Sequence, residues 1–351
     1  MPPVRRRTLR DIADSLDLSV NTVSRALAGK DSVSEYTRAL VRAEAERIGY
    51  VPNLHARSLV LGSVMMLGLV ITNPSNPFYA QLIHAIELRG RAKGYSLLLV
   101  VSDESEEYEA RAVDSLLRSG VDGAIVVPVQ GETNPWGQLH RMGVPVVFLN
   151  RDLPGVERDF VGTDNRLGAR QATEHVIARG ARSVVLMEED LPITTVRERV
   201  AGFTEAMASA GLPCDERSVV RVPTRRDEQM ALPWHPDEAY AVAQAILDRP
   251  DRPDAVVVGN DFYALGLYRA LAERGLRVPD DVLVVGFGDY PFSEFVAPPL
   301  STVRLPAEEV GAAAVDLLLE RIVGSADPTP LKRSFAPTLV PRGSTERRPT
   351  S

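Results

Sequence analysis

The strongest constraint on the fold is an alternation that starts near Val64. Short apolar runs (Leu67–Ile71, Ser96–Val101, Ala124–Val127, Val146–Leu149, Val184–Met187, Val219–Val222, Ala255–Val258 and Val282–Val285) are separated for the most part by helix-length segments at 78–93, 106–119, 165–179, 197–210, 237–248 and 261–274. A strand that is apolar along its whole length is covered on both faces, and a helix between two such strands supplies the crossover a parallel pair needs. Eight runs exceed one comfortable sheet. The pattern therefore predicts an α/β core of two doubly wound parallel-sheet lobes, with a ligand crevice at the strand C-termini between them. A chain of 351 residues is also too long for one ordinary core.

The first fifty residues follow a different rule. Thr8 is a good N-cap with Asp11 three residues on, and Leu9, Ile12, Ala13 and Leu16 share one helical face. Ser19 caps a second helix over Val20–Ala28, which ends near Gly29, and Ser34 caps a third that closes at Gly49. The gap Asp17-Leu18-Ser19 is turn-sized, so the segment reads as a small all-α helix-turn-helix headpiece. Pro52–Leu59 is a separate short helical segment, below the roughly 12–15 residues an isolated helix needs in water. It is expected to form only when something packs on it.

Charge separates along the same boundary. The chain carries a net charge of -7, yet residues 1–62 hold ten Lys/Arg against seven Asp/Glu, and the remainder holds thirty against forty. A basic head on an acidic body suits phosphate binding at one end, although a solvated basic tail would give the same count. The second helix decides between them. Val23, Ala26 and Leu27 suit its packed face, which leaves Asn21, Thr22, Ser24 and Arg25 outward. Arg pairs bidentately with guanine, Asn with adenine, and hydroxyls reach phosphates or base edges. Ser, Thr and Asn also populate ordinary caps, so spacing alone favours DNA without requiring it.

The strings Thr8-Leu9-Arg10-Asp11-Ile12-Ala13, Leu18-Ser19-Val20-Asn21-Thr22-Val23-Ser24-Arg25-Ala26-Leu27, Ile48-Gly49-Tyr50-Val51-Pro52-Asn53 and Ala56-Arg57-Ser58-Leu59 closely resemble the headpiece of the lactose-repressor/galactose-repressor family. The resemblance covers residues 8–59 and implies a transcriptional repressor. It implies that Val20 and Asn21 select the operator and that Arg25 is the recognition arginine. It also implies that Leu59 wedges into the minor groove at the operator centre, beside the small Ala56. Thr8, Ser19, Thr22, Ser24 and Asn53 complete the DNA-binding set. A wedge of this kind costs a few kcal/mol of unstacking and favours a flexible pyrimidine–purine step. The expected partner is a palindromic operator, read by a homodimer.

The body resembles the family's core, itself similar to periplasmic sugar-binding proteins, through Asn76-Pro77-Phe78-Tyr79, Phe148-Leu149-Asn150-Arg151, Arg199-Val200-Ala201-Gly202-Phe203, Gly259-Asn260-Asp261 and Pro298-Pro299-Leu300-Ser301-Thr302-Val303. The resemblance implies an effector site of Phe78, Tyr79, Asn150, Arg151, Arg199, Trp234, Asn260, Asp261 and Asp289. A planar ring below Arg, carboxamide and carboxylate groups suits a sugar or sugar derivative. One departure stands out. Where the family ends a late strand with Gly-aromatic-Asp-Asp, this chain reads Gly286-Phe287-Gly288-Asp289. The polar stretch Pro223–Leu232 is also longer than usual, and both features leave the ligand open.

The expected domains are a headpiece at 1–50, a hinge at 51–62, a core at 63–342 and a polar tail at 343–351. Within the core, one lobe is expected at about 63–161 and 291–323, and the other at about 162–290 and 324–342, with the chain crossing near 161, 290 and 324. Leu339–Ser344 reads LVPRGS, a thrombin-cleavable string that the family's own ending also resembles.

Other classes are poorly served. The five histidines lack metal-ligand spacing, Gly286-Phe287-Gly288 lacks the third glycine of a dinucleotide loop, and there is no Gly-x-Ser-x-Gly elbow or phosphate-binding loop. Neither a cofactor nor a metal is expected. An enzyme would need a nucleophile–base pair that is not in register. A periplasmic carrier would account for the body but not for residues 8–59. One cysteine, Cys214, forbids an internal disulfide, and no apolar run reaches the roughly 20 residues of a membrane helix. Met1–Arg10 is arginine-rich with no apolar segment after it, so a cytoplasmic protein without a membrane partner is expected. The C-terminus lacks a leucine heptad, which favours a dimer over a tetramer.

Overall fold

The computed structural model describes residues 7–27, 32–50, 63–224, 235–324, 327 and 329–346. They fall into two units, Met1–Val64 and Met65–Ser351.

The first unit is three helices, α1 (Leu9–Leu16), α2 (Val20–Leu27) and α3 (Glu35–Ile48). Thr8 and Asp11 close a reciprocal cap on α1, the Thr8 amide donating to the Asp11 carboxylate at 2.7 Å. The Ser19 hydroxyl accepts the Thr22 amide at 3.0 Å and so starts α2, while Gly49, at φ 66°, ends α3 in the left-handed conformation glycine tolerates best. Ile12, Ala13, Val23, Ala26, Val33, Val41 and Ala45 form the small core. Glu44, though on α3, is nearly buried, held by Arg47 at 2.6 Å and by the Ser15 hydroxyl.

The second unit holds two six-stranded sheets. In chain order its elements are β1 (Met66–Ile71), α4 (Pro77–Ala92), β2 (Ser96–Val101), α5 (Glu106–Ser119), β3 (Gly123–Val126), α6 (Gly137–Arg141), β4 (Val146–Leu149) and β5 (Asp159–Thr163). Then come α7 (Asn165–Ala178), β6 (Val184–Glu189), α8 (Thr194–Ser209), β7 (Val219–Val222), α9 (Pro236–Leu247), β8 (Ala255–Val258), α10 (Asp261–Glu273) and β9 (Leu283–Gly288). A 3-10 turn (Pro291–Glu294), β10 (Ser301–Arg304), α11 (Ala307–Val323), β11 (Lys332–Phe335) and β12 (Thr338–Val340) complete it. The first sheet runs β11-β5-β4-β3-β1-β2 and is parallel throughout; the second runs β12-β10-β9-β8-β6-β7, with only β12 antiparallel.

Alternate residues of each strand feed opposite faces, as the two-residue repeat requires. In the first lobe Leu67, Leu69 and Ile71 pack beneath α4 and α11, while Val70 joins Ala124, Val126 and Phe148 beneath α5. In the second lobe Val185 and Met187 meet α9 and α10, while Val184 and Leu186 meet α7 and α8. Helices α7 and α8 approach so closely that a Cβ at Gly202 would strike the Arg166 carbonyl.

The expected pair of doubly wound lobes is present, but two boundaries differ. The chain crosses between lobes after β5, between β10 and α11, and between β11 and β12. The second crossing thus lies near 305 instead of 290, because β10 pairs with β9 in the second lobe; the third lies near 336 instead of 324, because β11 pairs with β5 in the first. Both strands are short and polar, so no apolar run marks them. The expected polar tail at 343–351 begins too early: Ser344 and Thr345 are fully buried, and the Ser344 hydroxyl donates to the Val284 carbonyl at 2.6 Å. The hinge at 51–62 lies outside the described residues.

Candidate functional site

Two places gather the residues singled out from the sequence. On the helical unit, Val23 and Ala26 are buried and Asn21 and Arg25 are exposed, which leaves one face of α2 free. Val20 is 42% exposed although it is apolar, which suits contact with a partner surface. Arg25 has no ion pair among the described residues. Ser24 is half-buried, and the Thr22 hydroxyl is shared with Ser19 at 2.8 Å, so part of that polar row also serves the helix cap. Asn53, Ala56 and Leu59 lie outside the described residues.

The second place is a cleft between the lobes, with about 840 Å³ of empty space when its open mouth is included. Strand ends and helix starts meet there, as parallel sheets require. Asn76 caps α4, its side chain accepting the Phe78 amide at 2.9 Å, and so sets Phe78 and Tyr79 in the wall with ring centroids 6.0 Å apart. Asn150 follows β4 at φ 59°, a left-handed position that Asn tolerates better than most residues, and lines the cleft with Arg151. Arg151 is buried and forked onto Glu104 at 2.6 and 2.7 Å. Burial pulls its pKa down, but the Glu104 carboxylate overrides this and holds it above the usual arginine value.

Across the cleft, Arg199 on α8 is forked onto the fully buried Glu188 at 2.7 and 2.8 Å, with Glu189 at 3.5 Å and the Asn165 carbonyl oxygen at 3.3 Å. Its guanidinium carbon sits 5.3 Å from the centroid of the Phe287 ring. Here too burial lowers the pKa and the Glu188 charge reverses the outcome upward. Asn260 caps α10 and lines the cleft, and its amide donates to the Tyr290 hydroxyl at 3.4 Å.

Two expected residues do not reach the cleft. Asp261 is fully buried under it, where its carboxylate accepts the Thr302 hydroxyl at 2.7 Å, the Ser293 hydroxyl at 2.8 Å and the Tyr290 amide at 3.0 Å. It braces β9, the 3-10 turn and β10; Gly286 is required beside it, since a Cβ there would strike the carboxylate. Asp289, at φ 52°, turns away to pair with Arg304 at 2.6 Å and Arg342 at 2.8 Å. Tyr290 enters the cleft wall in its place, its hydroxyl 3.3 Å from the Asn76 side-chain oxygen. This accounts for Gly288: its φ of 137° suits glycine, and a Cβ there would sit 2.7 Å from the Tyr290 ring, so an aspartate would strain the backbone and force the tyrosine to move. Trp234 lies outside the described residues.

The sequence did not assign Tyr290, Glu188, Glu189, Glu104 or Asn165 to the site, and marked Asn76 only as part of a family string. One signal was available: two adjacent acids, Glu188 and Glu189, end an otherwise apolar strand, where a charge needs a partner. Among the described residues there is no cluster of metal-ligating side chains, and no helix is long and apolar enough to cross a membrane.

Comparison with known proteins agrees with this division. Residues 8–53 match the model of the bacterial regulatory proteins of the lacI family, and residues 173–345 match that of a periplasmic binding protein-like domain. The ribose operon repressor of Escherichia coli K12 is 30% identical over 340 residues, 96% of this chain and 99% of that protein. A lac repressor dimer solved with operator and the anti-inducer ONPF superposes with a TM-score of 0.84 at 26% identity, covering 97% of this chain and 99% of that one. A complex of the transcriptional regulator CelR with cellobiose gives 0.72 at 29% identity, covering 97% and 100%.

Proposed function

Because this chain belongs to the lacI family of bacterial regulatory proteins, we propose that it is a dimeric, sequence-specific repressor whose hold on operator DNA is set by a small polyhydroxylated effector in the cleft. The observation that carries the reading is the pairing, in one chain, of an α2 face bearing free Asn21 and Arg25 with a polar two-lobed cleft. Neither half needs catalysis. The cleft's two described arginines are tied to Glu104, Glu188 and Glu189 in ion pairs, and the described lining holds no nucleophile–base pair. On this reading the protein is a cytoplasmic binding switch and not an enzyme.

Two copies align two α2 helices on successive major-groove faces of a palindrome, and Leu59 from each enters the minor groove at its centre. The dimer face runs along β2, an edge strand with Leu99 and Val101 exposed, and the neighbouring α4 with Leu88 exposed. Effector binding changes the angle between lobes. It shifts DNA affinity only by its differential affinity for the two arrangements.

The test selects duplexes from a random library on full-length protein, then titrates the enriched palindrome by fluorescence anisotropy at several salt concentrations, with and without sugars. Nanomolar, steeply salt-dependent binding that one sugar alters supports the reading. No enriched palindrome, in either the empty or the sugar-loaded form, refutes it.

A further inference from the structure

We propose that the cleft takes a polyhydroxylated ligand that carries no negative charge, because both arginines in its described wall are already neutralised. This rests on the reading of the cleft as the effector site and goes further by fixing the ligand's charge class.

An arginine in a binding cleft usually marks a carboxylate or phosphate, since its planar fork matches two anionic oxygens. Here each guanidinium already holds a carboxylate in a two-pronged pair. Arg151 gives two donors to Glu104, and Arg199 gives its Nε and one Nη2 hydrogen to Glu188. Glu189 and Asn165 occupy two more of the five N–H groups of Arg199. What remains is one N–H on Arg199 and three on Arg151, namely its buried, unpartnered Nε and one hydrogen on each Nη. With each positive charge already answered by a carboxylate, these remaining donors suit hydroxyl oxygens better than a second anion.

The surrounding charge points the same way. Asp103, Glu104 and Glu189 line the cleft with Arg151 and Arg199, and Glu188 lies directly behind Arg199. Four carboxylates against two guanidiniums leave the described wall negative. The neighbouring backbone accommodates the arrangement: a Cβ at Gly259 would strike the Glu188 carboxylate, so this glycine leaves the space that Glu188 fills. Glu188 therefore acts as a specificity residue. It cancels the charge of Arg199 and holds the guanidinium edge so that little of it faces a ligand.

The test is calorimetric titration of the full-length protein with mono- and disaccharides, each supplied in neutral, amino, uronate and phosphate form at moderate ionic strength. The tightest binder is expected to be neutral or an amino sugar, with its uronate and phosphate counterparts at least tenfold weaker. Glu188→Gln, which frees one positive charge, should narrow that ratio; Glu189→Gln should narrow it too and serves if the first variant does not fold. An anionic sugar that binds as tightly as its neutral counterpart overturns the inference, and so does an unchanged ratio in a folded variant. If no sugar of any charge binds while the operator duplex still does, the effector reading itself fails and the inference fails with it.

Discussion

Gln130, just beyond β3 of the first lobe, and Thr194, the first residue of α8 in the second, exchange two hydrogen bonds: the Gln130 amide donates to the Thr194 hydroxyl at 3.0 Å, and the Thr194 amide donates to the Gln130 carbonyl oxygen at 2.6 Å. Together with the Tyr290 hydroxyl, 3.3 Å from the Asn76 side-chain oxygen, they tie one lobe to the other beside the cleft. A change in lobe angle must break them.

Gln130→Ala should therefore loosen this arrangement of the lobes. Two net hydrogen bonds contribute about 1–2 kcal/mol, so effector affinity should fall by roughly 5- to 30-fold. Calorimetry with the effector found in the sugar titration measures this. An affinity equal to that of the parent would show that the lobes close without this link.

Arg25→Ala tests the α2 face. A bidentate arginine–guanine contact is worth about 1–3 kcal/mol of base discrimination. The variant should lose roughly 5- to 150-fold on the operator while its affinity for random duplex changes much less. Equal losses on both duplexes in an anisotropy titration would make Arg25 a phosphate contact.

Glu109 on α5 gives a pH dependence. It is fully buried; one oxygen accepts the Val129 amide at 2.7 Å and the Trp136 indole at 3.0 Å, and the other has no partner. Burial pushes its carboxyl up to about 7 from 4.5, against the pull of those two hydrogen bonds. A raised folded pKa means a contribution fully present below the ordinary carboxylate range and lost as pH rises through about 7. The loss is about 3 kcal/mol at most. Glu109→Gln keeps the acceptor and removes the titration. Its melting temperature should exceed that of the parent at pH 8 and match it near pH 4. Parallel pH profiles for the two proteins would exclude Glu109 as the source.

The LVPRGS string should resist thrombin in the folded protein. Arg342 donates its amide to the Ser301 hydroxyl at 2.7 Å and its guanidinium to the Leu300 carbonyl at 2.9 Å, and it pairs with Asp289 and Glu294. Leu339 and Val340 belong to β12, so the string cannot enter a protease cleft without local unfolding. Cleavage should be slow and should accelerate with urea. Rapid cutting at Arg342 without denaturant, followed by gel, would contradict this burial.

Leu99→Asp places a charge on the exposed edge strand β2. It should shift the chain to a monomer in sedimentation and weaken operator binding, with little change in melting of the isolated fold. A variant that still sediments as a dimer would move the interface elsewhere.

The elements and their class follow from local residue patterns. Apolar runs alternating with helices required covered parallel strands, Thr8, Ser19 and Ser34 announced their helix starts, and the split of Val23 and Ala26 from Asn21 and Arg25 divided α2 into a packed and a free face. These are local properties, set by residues within one or two turns of each other. The assembled fold settled which sheet received the short polar strands Ser301–Arg304 and Lys332–Phe335, since neither carries an apolar run and the β5 partner of Lys332–Phe335 lies far back in the chain. It alone turned Asp261 and Asp289 away from the cleft and brought Tyr290 in. It alone set Glu104 against Arg151 and Glu188 against Arg199. A buried charge takes its character from the groups that surround it, and those are assembled only when distant segments meet.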